Sequence, residues 1–266
     1  MRNSVLLIGL FLFLVLPSFH SVKEENFAVT KIVIDAGHGG KDPGTLGSYS
    51  QEKEIALKVS LLVGEYLEKY IPGVEVIYTR KNDSFIHARN RPSIANGQNA
   101  DLFVSIHANS LPRSTSEERK ARIRGTEVYV MGAQNTGRAL EVAKRENSVI
   151  FLEEDYEDNY DFNPESDESY ILFNLTQAAY QDNSLILASL IDEQLTKRAG
   201  RKSYGVKQSS LYVLWSTAMP SVLVEIGYLS NLREEKELND PKVQEYIASG
   251  IYRAIKEYKE VFDSQN

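Results

Sequence analysis

Of the four histidines in this chain, two stand where they could do chemistry. His38 lies in the glycine-rich stretch KIVIDAGHGGKDPG, residues 31–44, and His107 lies in FVSIHANS. Each follows a short apolar β-prone run, 31–34 and 102–106. In open α/β sheets ligands bind beyond the carboxyl ends of the strands, so two imidazoles delivered there from separate strands can face each other. Imidazole is the commonest metal ligand, and a catalytic zinc takes three protein ligands with one position open. An acid must supply the third. Glu52 and Glu54 begin the first long helical stretch, after a glycine loop (37–47) that has to bend back to the same edge. Glu52 sits at the helix start and is the first choice, with Glu54 second. Taken singly, each residue has a plainer reading. A glutamate at a helix N-terminus favours the dipole, and a histidine commonly serves as a structural hydrogen-bonder. Their combination points to a cation site.

A phosphate cradle is the other use of such a glycine loop, and it fails on residue types. Gly40-Lys41 is followed by Asp42, where a P-loop needs Ser or Thr, and Asp35 and Asp42 would repel phosphate. A second acid completes the metal reading. The run Ser221 to Val224 is as apolar as a central strand, yet Glu225 follows it. A carboxylate there is costly to bury unless it meets a cation or a proton donor. Beside a metal it can take a proton from water and pass it to a leaving amine. The plainer reading pairs Glu225 with an arginine of the basic loop 110–124.

The elements that must position these residues follow from the hydrophobic pattern. β-Runs at 31–34, 74–79, 102–106, 126–131, 206–213 and 221–226 alternate with helical stretches near 53–70, 86–98, 133–146, 171–199 and 241–260. This alternation predicts an α/β fold: one domain, about 30–262, with a central, mostly parallel twisted sheet of about six strands flanked by helices. A hydrophobic content of 42% in 266 residues supplies the core. The net charge of −7 argues against a nucleic-acid partner.

Arg2, an apolar run from Val5 to Leu16 and then Pro17, Ser18 and Ser21 read as an export signal over 1–21. That run is shorter than the roughly 20 residues a bilayer span needs, so no stable membrane span is expected after cleavage. The absence of cysteine excludes lipoprotein attachment and disulfides. The expected location is the periplasm or cell envelope, and the expected state a monomer.

On these residues the chain resembles the zinc-dependent N-acetylmuramoyl-L-alanine amidases, which cut stem peptide from glycan in peptidoglycan. The matching stretches are IDAGHGGKDPGTLG, EKEIAL, YTRKNDSF, RPSIANGQNADLFVSIHANS, GTEVYVM and PSVLVEIGYLSNLREE. Ala36 replaces the family's usual proline and Glu54 its usual aspartate. The resemblance implies one zinc ion held by His38, Glu52 and His107, with Glu225 as the catalytic glutamate. The amide between the muramic lactyl group and L-alanine is then hydrolysed by activated water. Two other functions compete: a non-catalytic peptidoglycan-binding or activator module, and a zinc peptidase acting within the stem peptide.

Residues 146–196 hold thirteen Asp or Glu and no Lys or Arg, densest in 153–168. Such a run is commonly a solvated loop. The resemblance extends to a subset of exported amidases whose insertion, here about 147–172, lies over the zinc until a protein activator removes it. On that reading an acidic side chain from 153–168 fills the open zinc position.

Overall fold

Six strands form one sheet: β1 (Lys31–Ala36), β2 (Glu75–Tyr78), β3 (Leu102–Asn109), β4 (Thr126–Met131), β5 (Ser203–Ser209) and β6 (Ser221–Tyr228). Their order is β2-β1-β3-β6-β4-β5. The computed structural model describes residues 28–132, 137–154, 156–160, 162–166, 168–169 and 180–264. The stretch 1–21, expected to be an export signal, lies outside them, as do parts of the acidic stretch.

β2, β1, β3 and β6 run parallel, β4 is antiparallel to β6, and β5 is parallel to β4. The expected mostly parallel α/β domain is therefore present, with its last two strands reversed as a pair. β3, β4 and β6 are buried along their whole length, which is why they read as near-continuous apolar runs. Successive side chains alternate between two cores. On one face Ile32, Ile34, Val104, Ile106, Val222 and Val224 pack against helices, and on the other Val33, Phe103, Tyr129 and Leu223 do. Each such side chain contributes about 1.5–3 kcal/mol of burial.

The first helix, α1 (Glu52–Tyr70), buries Ile55, Val59, Val63 and Leu67 as a stripe against the first core and stops at Pro72-Gly73. The helices Gln181–Lys197 and Pro241–Asp263 share that face. The opposite face is covered by α2 (Asn90–Gly97), by Val142 and Ala143 of the helix Arg138–Asn147, and by Ile150.

The sheet order turns at β1 and β3, which lie side by side while their chain connections leave in opposite directions. This is the switch point at which doubly wound sheets open a crevice. The boundaries differ from expectation in places. β3 runs to Asn109, so His107 lies inside the strand rather than past it, and β6 continues to Tyr228, two residues beyond the expected end at 226. β5 ends at Ser209 instead of 213, because Tyr212–Trp215 coils into a short helix that buries Tyr212 and Leu214. The helix expected at 171–199 is described only from Gln181, with 170–179 outside the described residues. Pattern reading also missed the short polar helices Glu117–Arg122 (α3) and Leu232–Leu238.

Candidate metal centre

His38 leaves β1 in the left-handed region, φ 59°, an uncommon conformation for a side chain with a Cβ. Backbone carbonyls on either side of it are held by two buried arginines. Arg91 Nη1 donates to Ala36 O (2.8 Å) and Nη2 to His38 O (2.7 Å). Arg80 Nε donates to Ala36 O (2.9 Å) and Nη2 to Gly37 O (2.7 Å). Arg91 is itself anchored by Asp35 (2.6 Å), a buried carboxylate that also accepts from Thr79 and Ser105. Burial alone would raise the Asp35 pKa, but Arg91 and the two hydroxyls hold it below the usual carboxylate range.

The ring that results is aimed. His38 Nδ1 lies 2.7 Å from Asp42 Oδ2, leaving Nε2 to face inward. Glu52, at the first turn of α1, is fully buried. Its Oε2 accepts from Thr45 N (2.7 Å) and its Oε1 from Ala108 N (2.8 Å). The same Oε1 stands 3.2 Å from His38 Nε2 and 3.1 Å from His107 Nδ1. His107 reaches inward from β3, and its ring passes so close to Gly37 that a Cβ there would meet it at 2.4 Å.

The three expected ligands therefore converge. Glu54 does not, being exposed on the outer face of α1. His87 is elsewhere, with its Nδ1 2.8 Å from Glu153 Oε2.

A fourth carboxylate joins the cluster, and it is not from 153–168. Glu146, near the end of α4 (Arg138–Asn147), places Oε2 2.9 Å from His107 Nδ1 and 3.2 Å from His38 Nε2. Ligand atoms of His38, Glu52, His107 and Glu146 all lie within 4.8 Å of one another, and all four residues are buried. Glu153, the first acid of the expected run, instead turns away to accept from Ala88 N (2.7 Å), His87 and Tyr160. The sequence carried a signal for Glu146. Ala139, Val142, Ala143 and Glu146 form the buried stripe of α4, and a glutamate at an apolar-stripe position needs a partner.

Glu225 is fully buried in β6, in register with His107 of β3 and with Glu127 of β4. Its Oε1 pairs with Arg145 Nη2 at 3.1 Å. The expected alternative partner, an arginine of loop 110–124, does not serve it; the cation comes from α4. Glu225 Oε2 has no hydrogen-bond partner among the described residues.

The electrostatics follow from this crowding. Burial opposes charge on His107, but Glu146 and Glu52 lift its pKa to about 9. His38 rises well above its usual value because Glu52 and Asp42 overcome burial. Burial would likewise raise Glu146, yet His107 and Arg145 bring it well below the carboxylate range. Glu225 goes the other way: burial, with Glu146 adding to it, pushes its carboxyl well up despite Arg145.

The donor set tests positively for a cation. His38 Nε2 and Glu146 Oε2 are buried without a hydrogen bond, a costly state that a metal would relieve. Two imidazoles and a carboxylate on one centre are ligands that zinc accepts. The Asp42–His38 contact is the outer carboxylate that commonly fixes a ligating ring.

Comparison with known proteins identifies the family. The family described as N-acetylmuramoyl-L-alanine amidase matches residues 32–257. The chain is 30% identical over 241 residues to N-acetylmuramoyl-L-alanine amidase AmiA of Escherichia coli, covering 88% of this chain and 78% of AmiA. Among solved structures it is similar to the catalytic domain of CwlV, an N-acetylmuramoyl-L-alanine amidase of Bacillus (Paenibacillus) polymyxa var. colistinus. That match has a TM-score of 0.62 and 29% identity, over 87% of this chain and 99% of that one. It is also similar to the CwlD amidase of Clostridioides difficile, solved in complex with the GerS lipoprotein (TM-score 0.63, 27% identity, 87% and 99% covered). The family match spans the sheet and every residue of the cluster, and with it this chain belongs to the N-acetylmuramoyl-L-alanine amidases, hydrolases of the peptidoglycan amide bond.

Proposed function

We propose that the chain cleaves the amide between the lactyl group of N-acetylmuramic acid and L-alanine of the stem peptide, with His38, Glu52 and His107 holding one zinc ion and Glu225 moving the protons. The observation that carries this reading is the convergence of two inward imidazole nitrogens on Glu52 Oε1, within 3.2 Å. When bound, zinc supplies Lewis acidity and lowers the pKa of a water toward about 7. Asp42 fixes the His38 ring, and the amides of Thr45 and Ala108 fix Glu52. Glu225 Oε2, unpartnered beside the cluster, takes a proton from the attacking water and gives it to the departing alanine nitrogen.

In the form described, the centre is closed by its own chain. Glu146 stands against both imidazoles, where it would take the fourth position on a bound zinc, and Arg145 holds Glu225. We read α4 as a self-blocking element that a protein partner displaces; a similar enzyme, the CwlD amidase, forms a complex with the GerS lipoprotein. Export to the periplasm or envelope is supported by the leader-like stretch 1–21 and by the wall substrate. No helix among the described residues is long and apolar enough to cross a membrane.

Digestion of purified cell wall by wild-type protein and by Glu225→Gln tests the reading. The variant should keep its zinc while its rate falls about 10²–10⁴-fold. Mass analysis of the products separates the alternatives, since the amidase frees intact peptide from intact glycan and a stem-peptide peptidase does not. Retained activity in Glu225→Gln, or cleavage inside the peptide, would overturn it.

A further inference from the structure

We propose that Arg80 is a positioning residue that sets the separation between the loop carrying His38 and the helix start carrying Glu52. The proposal deepens the reading of those two residues as metal ligands and rests on it. Arg80 follows β2 at the carboxyl edge of the sheet, two positions beyond Tyr78, and its side chain is 3% exposed. Its Nη2 donates to two carbonyls at once, Gly37 O at 2.7 Å and Lys53 O at 2.8 Å. Gly37 precedes His38 and Lys53 follows Glu52. One nitrogen therefore ties together the neighbours of two ligands that come from different elements.

The rest of the fork supports the same task. Nε donates to Ala36 O (2.9 Å) and Nη1 to Asn82 O (3.0 Å). The buried guanidinium thus serves four backbone carbonyls, and no carboxylate among the described residues lies within ion-pair distance of it. Burying a cation on carbonyls alone is expensive, and Arg91 beside it adds repulsion. Burial and Arg91 together bring the Arg80 pKa down to about 10. A positive charge next to a cation site does not favour the metal by attraction. What the guanidinium offers is a rigid plane with donors in fixed directions.

The loop is shaped around that plane. A Cβ on Gly39, φ 127°, would meet Ser84 O at 2.2 Å and Arg80 Nε at 2.9 Å. His38 itself is held at φ 59°, a conformation that persists only where the surroundings over-determine it. Arg91 contributes to that, but its bonds reach only Asp35 and the carbonyls of Ala36 and His38, on one side of the gap. Lys53 Nζ also crosses, to Gly40 O at 2.9 Å, on a flexible stem that cannot fix a distance.

The test is zinc affinity, measured by competition with a chromophoric chelator, alongside thermal melting of the metal-free protein. Arg80→Lys keeps the charge and loses the fork. It should bind zinc about tenfold or more weakly, the loss typical of removing an outer support of a ligand, while melting close to wild type. Arg80→Ala should weaken zinc at least as much. Val63→Ala, a core truncation on α1, should melt lower and keep its affinity, separating general loosening from lost geometry. Wild-type affinity in Arg80→Lys, or its failure to fold, overturns the proposal. His38→Ala is run in parallel: if that variant retains zinc, the ligand reading fails instead.

Discussion

Glu146 Oε2 stands 2.9 Å from His107 Nδ1, and the residue before it, Arg145, places Nη2 3.1 Å from Glu225 Oε1. Two consecutive residues of one helix therefore engage both halves of the centre, the imidazole side and the acid. Arg145 also donates to Ser110 O (2.9 Å), on the loop after β3. The helix is fastened to the site by charge. Its apolar stripe, Ala139, Val142 and Ala143, is small, so a modest change in charge should shift its seating.

Glu146→Ala should raise the basal rate of cell-wall release about tenfold or more. A charge-assisted contact is worth about 1.5–3 kcal/mol, and each 1.4 kcal/mol is about a factor of ten in the open population. Dye release from labelled wall, without any partner present, measures it. An unchanged rate would mean that α4 does not limit access.

The sequence carried His38, His107 and Glu225 because each was anomalous where it stood: a histidine amid glycines, a histidine after an apolar strand, a glutamate ending another, while Glu52 was found as the acid that begins the first long helix. The sheet was legible for a similar reason, since strands buried on both faces read as unbroken Val, Ile and Leu. Glu146 was not legible in the same way. Its helix was read as ending there and the acids beyond it drew attention, although composition cannot say which carboxylate turns inward. Arg80 and Asp42 were equally hidden. Arg80 acts only once the chain after β2 meets the glycine loop, 43 residues away at Gly37, and Asp42 only once that loop turns it back onto His38.

Asp42→Asn should weaken zinc binding about 10–100-fold, with little effect on folding. Asp42 Oδ2 orients the His38 ring at 2.7 Å, and Oδ1 also accepts from Gly44 N at 3.0 Å. An amide can keep the second bond while losing the charge that fixes the imidazole tautomer and raises its basicity. Isothermal titration of zinc against the metal-free variant measures the loss, and equal affinity would remove Asp42 from the site.

The metal-free protein should lose stability as pH climbs from 6.5 through about 9. His107 is raised from 6.5 to about 9, and His38 is raised as well. A raised histidine contributes stability fully below its unfolded value and loses it as pH passes the folded one. Glu146 and Glu52 are depressed, so their contribution is present above 4.5 and is lost only as pH falls. Glu225, raised, stabilises most at low pH and least above its folded value. Zinc reverses the trend, because it must displace protons from the rings and so binds more tightly at higher pH. Melts with chelator and with zinc, at about pH 6 and about pH 9, should show the gap between the two forms widening with pH. A constant gap would mean that the rings are already neutral before the metal arrives.

Glu153→Ala should release the segment 148–160 without touching His38, Glu52 or His107. Glu153 is buried, and its Oε1 accepts from Ala88 N while its Oε2 meets His87 Nδ1 and the Tyr160 hydroxyl (2.6 Å). Truncation leaves the buried Ala88 amide without its acceptor, at about 1–3 kcal/mol. That cost falls on the closed arrangement alone, since a displaced segment exposes the amide to water. The variant should show faster protease cleavage within 148–160 and a basal rate raised several-fold, less than in Glu146→Ala. Zinc affinity should stay within about twofold of wild type, since none of the Glu153 contacts reaches His38, Glu52 or His107. Increased protease sensitivity with an unchanged rate would uncouple this anchor from the position of α4.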